Sequence, residues 1–213
     1  MITYERFKEM NINTEPVGFI LGGEDCEEFC TPVGAEIIGW AGVDGIHYCF
    51  VKGFGDTVFS VNPTELKGDC VHPIAENFEM FLRLILSCGS ADAVEQVHGW
   101  NSDEFDSYLL EYPLSDEQKN VLCTLKDKLG LQAVDKPFEY IKNLQAGFDY
   151  SNLEFKTEYF EDLAPYDEEV TANWAEGYLS DLSKRKGNCG NENVAVIGSS
   201  DGPIAFYYSS DDE

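Results

Sequence analysis

Basic side chains are scarce in this sequence: 14 Lys and Arg stand against 40 Asp and Glu, a formal charge of -26. A surface that negative repels phosphate backbones, which argues against direct nucleic-acid binding. Anionic membrane surfaces are disfavoured for the same reason. Histidine is also sparse, occurring at positions 47, 72 and 98. No Gly-x-Ser-x-Gly elbow, Gly-x4-Gly-Lys loop or dinucleotide fingerprint occurs, so the motifs that announce a serine nucleophile or a phosphate cradle are missing. No apolar run approaches the length of a bilayer span. The first nine residues alternate charged and apolar side chains and lack the apolar run of a signal peptide. The expectation is a cytoplasmic protein.

Apolar residues are plentiful. Hydrophobic side chains make up 43% and aromatics 13% of the 213 residues, enough for a packed core despite the charge. That length suits one large domain, or one domain with an appended subdomain. The acidity has two readings, a solvated and soluble surface or electrostatic steering toward a basic protein. Seven cysteines, at 26, 30, 49, 70, 88, 123 and 189, are odd in number and lie mostly in apolar runs. That pattern fits buried free thiols in a reducing compartment. Cys26 and Cys30 form the only close pair, with no second pair or histidine at a zinc-finger spacing.

The pattern from residue 36 is that of strands. Glu36–Ala41 and Ile46–Val51 are β-branched and aromatic runs joined by Gly42-Val43-Asp44-Gly45, whose Asp-Gly step supplies the positive φ of a tight hairpin. Ile46, Tyr48 and Phe50 then share one face, and His47, Cys49 and Val51 the other. A third strand, Thr57–Val61, completes an antiparallel meander. The period turns helical over Ile74–Ser87, with Phe78, Phe81, Leu82 and Ile85 on one stripe and Gly89 at its end. Helices are predicted over 91–97, 102–112, 116–129 (opened by the capping box Ser115-Asp-Glu-Gln118), 137–146 and 167–185. An extended stretch is expected at 152–159, and terminal strands at 193–198 and 203–209. The organisation expected is a core over residues 1–130 and a C-terminal α/β extension over 131–213.

No candidate for chemistry is complete. His47 follows the Asp44-Gly45 turn, so an Asp44–His47 acid/base pair of a hydrolase-type enzyme is one reading; packing beside a strand neighbour or a bond to a loop carbonyl is the other. His72, before Pro73, reads as a loop or capping residue, and His98 as a helix-end residue bonding the last carbonyls. The spacing of the three has no metal motif. Cys49 is two residues from His47, about 6–7 Å away along a strand, too far for a direct nucleophile–base bond. The acidic clusters lack the alternating ligands of an EF-hand loop and read as solvated faces. No catalytic residue, metal or cofactor is assigned. Aromatics around the hairpin and helix ends are anchors of the kind that protein interfaces use. Trp40, Asp44, His47, Tyr48 and Trp100 are the expected partner-binding residues.

The segment Glu36–Tyr112 resembles the SUKH superfamily, which includes yeast cell-wall-synthesis regulators and many bacterial immunity proteins. The likeness rests on Ile38-Gly-Trp-Ala-Gly-Val-Asp-Gly-Ile-His-Tyr-Cys-Phe50, on the following strand ending at Pro63, and on Ala75-Glu-Asn-Phe-Glu-Met-Phe-Leu-Arg-Leu-Ile-Leu86. It implies an α+β fold with a mostly antiparallel sheet packed against helices. It also implies a non-enzymatic immunity protein that neutralises a basic toxin by occluding its active site. A regulatory or scaffold protein is the further alternative.

Overall fold

In the computed structural model, residues 1–22, 27–65 and 68–161 are described, together with the backbone of a hairpin at 193–199 and 202–208. The chain is α+β. Five strands pair in sequence order, each antiparallel to the next: β1 (Ile20–Leu21), β2 (Ala35–Trp40), β3 (His47–Val51), β4 (Val58–Val61) and β5 (Val71–Ala75). The β2–β3 connection turns through positive φ at Asp44 (54°) and Gly45 (71°), the geometry the Asp-Gly step predicts.

Both faces of the sheet are covered over β3, β4 and β5, which are buried on each side. Tyr48 and Ile74 point into a core built on helix α2 (Phe78–Cys88), with Phe78, Phe81, Leu82 and Ile85 in the same cluster. Each such side chain contributes about 1.5–3 kcal/mol when fully withdrawn from water. Helix α1 (Tyr4–Glu9) adds Tyr4 and Phe7, whose rings meet Phe78 edge-on at 5.4 Å. On the opposite face Cys49, Val51, Phe59 and Val61 pack with Cys30, Cys70, Leu153 and Tyr159. The alternation along β3 therefore divides Tyr48 and Phe50 from Cys49 and Val51 as its period requires.

Several expectations are corrected. The core helix begins at Phe78, not Ile74, because the Asn77 side chain accepts the Met80 amide (2.9 Å) as N-cap. Ile74 and Ala75 instead complete β5, and His72 and Pro73 are strand residues rather than a loop. β5 is an edge strand, where a missing N–H costs no ladder bond on the open side. In place of an extended stretch at 152–159, Asp149 accepts the Ser151 amide and turns the chain into a 3-10 turn (Tyr150–Asn152), followed by helix α7 (Thr157–Glu161).

Helices α3 (Ala91–Glu95), α4 (Ser102–Glu111), α5 (Asp116–Leu129) and α6 (Pro137–Ala146) lie where the periodicity places them. A 3-10 turn at Gln96–Gly99 follows α3. Leu131 and Ile141 are buried in the α2 core, and Leu153 and Tyr159 close the other face. Residue 130 is thus no boundary between cores. The hairpin of β6 (Asn193–Ser199) and β7 (Gly202–Tyr208) matches the two expected terminal strands; the helix expected at 167–185 lies outside the described residues. Cys30, Cys49, Cys70 and Cys88 are buried, and Cys123 is exposed. Burial pushes the Cys49 thiol up to about 12, so it packs as a small apolar group.

Candidate functional site

The five residues expected to bind a partner do not form one surface. His47 and Tyr48 are fully buried. The Nδ1–H of His47 donates to the Gly45 carbonyl (2.8 Å), since a carbonyl can only accept. Its Nε2 then accepts from the Thr31 hydroxyl (3.1 Å), whose oxygen takes the Glu28 amide (2.8 Å). Burial holds the His47 pKa below its ordinary value, which keeps the ring neutral as this chain of bonds demands. Both ring nitrogens are committed, so the Asp44–His47 pair is no acid/base dyad: His47 braces the hairpin turn. Asp44 is exposed at that turn, and Trp40, half-buried, pairs across from Ile20 and His47.

Trp100 belongs to a different surface. It precedes α4, whose Asn101 and Glu104 form a reciprocal capping box that anchors the helix start. From there the rings of Trp100, Tyr108 and Tyr112 run as a ladder, at centroid separations of 4.6 and 4.8 Å. Phe105 turns inward to the core, while Tyr112 and Leu110 are 63% and 82% exposed. An open cleft of about 450 Å³ follows this ladder; Asp103, Glu104 and Glu111 line it, and none of its lining residues is basic. Burial and the Asp92 carboxylate push the Tyr108 phenol up, so it stays a neutral donor. Neither Trp40 nor Asp44 lines this cleft. A sequence signal was present: from Leu84 to Gln118 the chain contains no lysine or arginine.

A second constellation joins residues distant in sequence. His72 of β5 and His98 of the 3-10 turn stack with ring centroids 4.2 Å apart and planes at 16°. Both are buried. Asp69 Oδ1 lies 3.2 Å from His72 Nε2, and Glu65 Oε1 lies 3.6 Å from His98 Nε2. His98 Nδ1–H donates to the Glu95 carbonyl (2.9 Å), and Lys142 Nζ donates to the His98 carbonyl (2.6 Å). The Glu95 carboxylate, buried and accepting from Asn62 Nδ2 (3.0 Å), has its pKa raised by desolvation. The hydrogen bond to His72 holds Asp69 below the usual carboxylate range. Of the three histidines, 72 and 98 converge and 47 does not. Nothing in their spacing announces this, because a sheet edge and a helical turn meet only in the fold.

Comparison with protein-family models, curated proteins and solved structures finds no match to this chain. Among the described residues no helix is long and apolar enough to cross a membrane.

Proposed function

We propose that this chain is a non-enzymatic binding protein that docks a basic protein partner on the α4 face. Trp100, Tyr108 and Tyr112 supply ring faces, and Asp103, Glu104 and Glu111 supply charge. The observation that carries the reading is an aromatic ladder, half-buried at Trp100 and Tyr108 and exposed at Tyr112, set among carboxylates with no basic residue lining its cleft. Arginine stacks on aromatic rings and pairs with carboxylates through two parallel bonds, so such a surface suits it particularly well. The formal charge of -26 adds long-range steering toward a cationic surface. The resemblance of Glu36–Tyr112 to the SUKH superfamily supports a narrower form. In it the chain is a cytoplasmic immunity protein with a SUKH-like fold, and its acidic face covers the active site of a basic toxin. The adjoining gene is then expected to encode that toxin.

An oligoarginine peptide titrated by fluorescence anisotropy tests the surface. Trp100→Ala combined with Glu104→Lys and Glu111→Lys is expected to weaken binding about tenfold or more, the equivalent of some 1.4 kcal/mol. Trp40→Ala with Asp44→Ala, at the hairpin, should leave it nearly unchanged. Equal affinity of the α4 variant and the wild type would remove the proposal. A loss confined to the hairpin variant would move the site there.

A further inference from the structure

Asp69, His72 and His98 can each offer a ligand atom, and these atoms all lie within 4.8 Å of one another. We propose that they bind a divalent transition-metal ion of the zinc type, with Glu65 as a fourth ligand. Two imidazoles and a carboxylate are a borderline nitrogen and oxygen donor set that suits zinc.

Hydrogen bonding already orients one of the two histidines, His98. The Glu95 carbonyl takes the Nδ1–H of His98, so Nε2 is the ring atom that faces the Glu65 carboxylate, across 3.6 Å. A positive charge between these two atoms, a proton on Nε2 or a metal ion in its place, makes the approach favourable. A backbone carbonyl behind a ligating histidine also fixes its tautomer and raises its basicity. His72 Nε2 donates to the Asp69 carbonyl at 2.7 Å and lies 3.2 Å from the Asp69 carboxylate, while its Nδ1 has a long 3.4 Å contact to the Tyr150 phenol. Transfer of the His72 proton to Nδ1, where Tyr150 Oη accepts it, frees Nε2 for the ion with no net proton release.

The stack adds a geometric requirement. An ion lies in the plane of each imidazole that binds it, and two nearly parallel planes cannot share one ion. His98 is held by the Glu95 carbonyl, so His72 is the ring that turns out of the stack. Glu65, Asp69, His72 and His98 come from a loop, a strand and a helical turn, and a bound ion would tie these together. Asp69 and Glu65 side chains are 25% and 37% exposed, which gives the ion a path from solvent.

The test uses the full chain stripped with a chelator and titrated calorimetrically with zinc ion alone. One ion per chain is expected, with Asp69→Asn weakening it about tenfold to a hundredfold and His98→Gln abolishing it. Because a buried histidine variant can fail to fold, nitrogen-15 spectra of the wild-type imidazoles supply an independent readout. His72 and His98 Nε2 should shift on zinc addition, and His47 should not. Cobalt substitution should give a visible tetrahedral spectrum without a thiolate charge-transfer band. Absence of saturable zinc uptake would overturn the site. So would uptake with both histidines unshifted, unchanged affinity in Asp69→Asn, or a thiolate band placing the ion on cysteine.

Discussion

The phenol oxygen of Tyr48 is buried in the α2 core, against Phe19 and Phe81, with no hydrogen-bond partner among the described residues. Burial, with the Asp92 and Glu95 carboxylates in range, pushes its pKa well above the usual phenol value, so it stays protonated. A buried unsatisfied hydroxyl carries its desolvation cost without return. Tyr48→Phe keeps the ring contacts and removes that atom. It is expected to stabilise the fold by about 1 kcal/mol, raising Tm by roughly 2–4 °C in a thermal melt. A lowered Tm would show that the hydroxyl has a partner. His47, one residue away, is the opposite case: both nitrogens are satisfied, and its neutral ring is part of the turn. Two adjacent residues that read alike as interface anchors in sequence are thus a core ring and a turn brace. Alternation assigns them to opposite faces, but it cannot say that both faces are covered.

Helices announced themselves where cap and period agreed. Helix α5 runs from Asp116 to Leu129 as its pattern predicts, because Ser115 takes the Gln118 amide and Gln118 takes the Ser115 amide. Ser115→Ala removes one half of that box. It should cost about 1 kcal/mol, read as a lower denaturation midpoint with an unchanged slope. At α2 apolar residues flank Glu76-Asn77 on both sides of the strand–helix junction, so periodicity alone places the helix start four residues too early. Asn77, a capping residue type at that junction, is the available signal. The short elements α1 and β1 had none: six and two residues are too few for either period to register. Their places depend on the Phe78 ring, which Tyr4 and Phe7 meet, and on pairing with β2.

For the molecule as a whole, an excess of negative charge opposes compactness and attracts cations, and salt acts on both. Raising ionic strength from about 0.02 M to about 0.5 M is expected to raise Tm, as self-repulsion is screened, while weakening oligoarginine binding. Salt-independent binding would mean that apolar contact, and not charge, holds the partner. The sequence by itself determined the α+β class, the hairpin with its Asp44-Gly45 turn, most helices and the acidity, because each depends on neighbours along the chain. Only the tertiary structure decided that Leu131 and Ile141 join the α2 core while Leu153 and Tyr159 close the other face, that His47 and Tyr48 are withdrawn from solvent, and that His72 and His98 meet beside Asp69. Those outcomes depend on which faces pack together, and burial on both sides of a sheet leaves no mark in the spacing of a single strand.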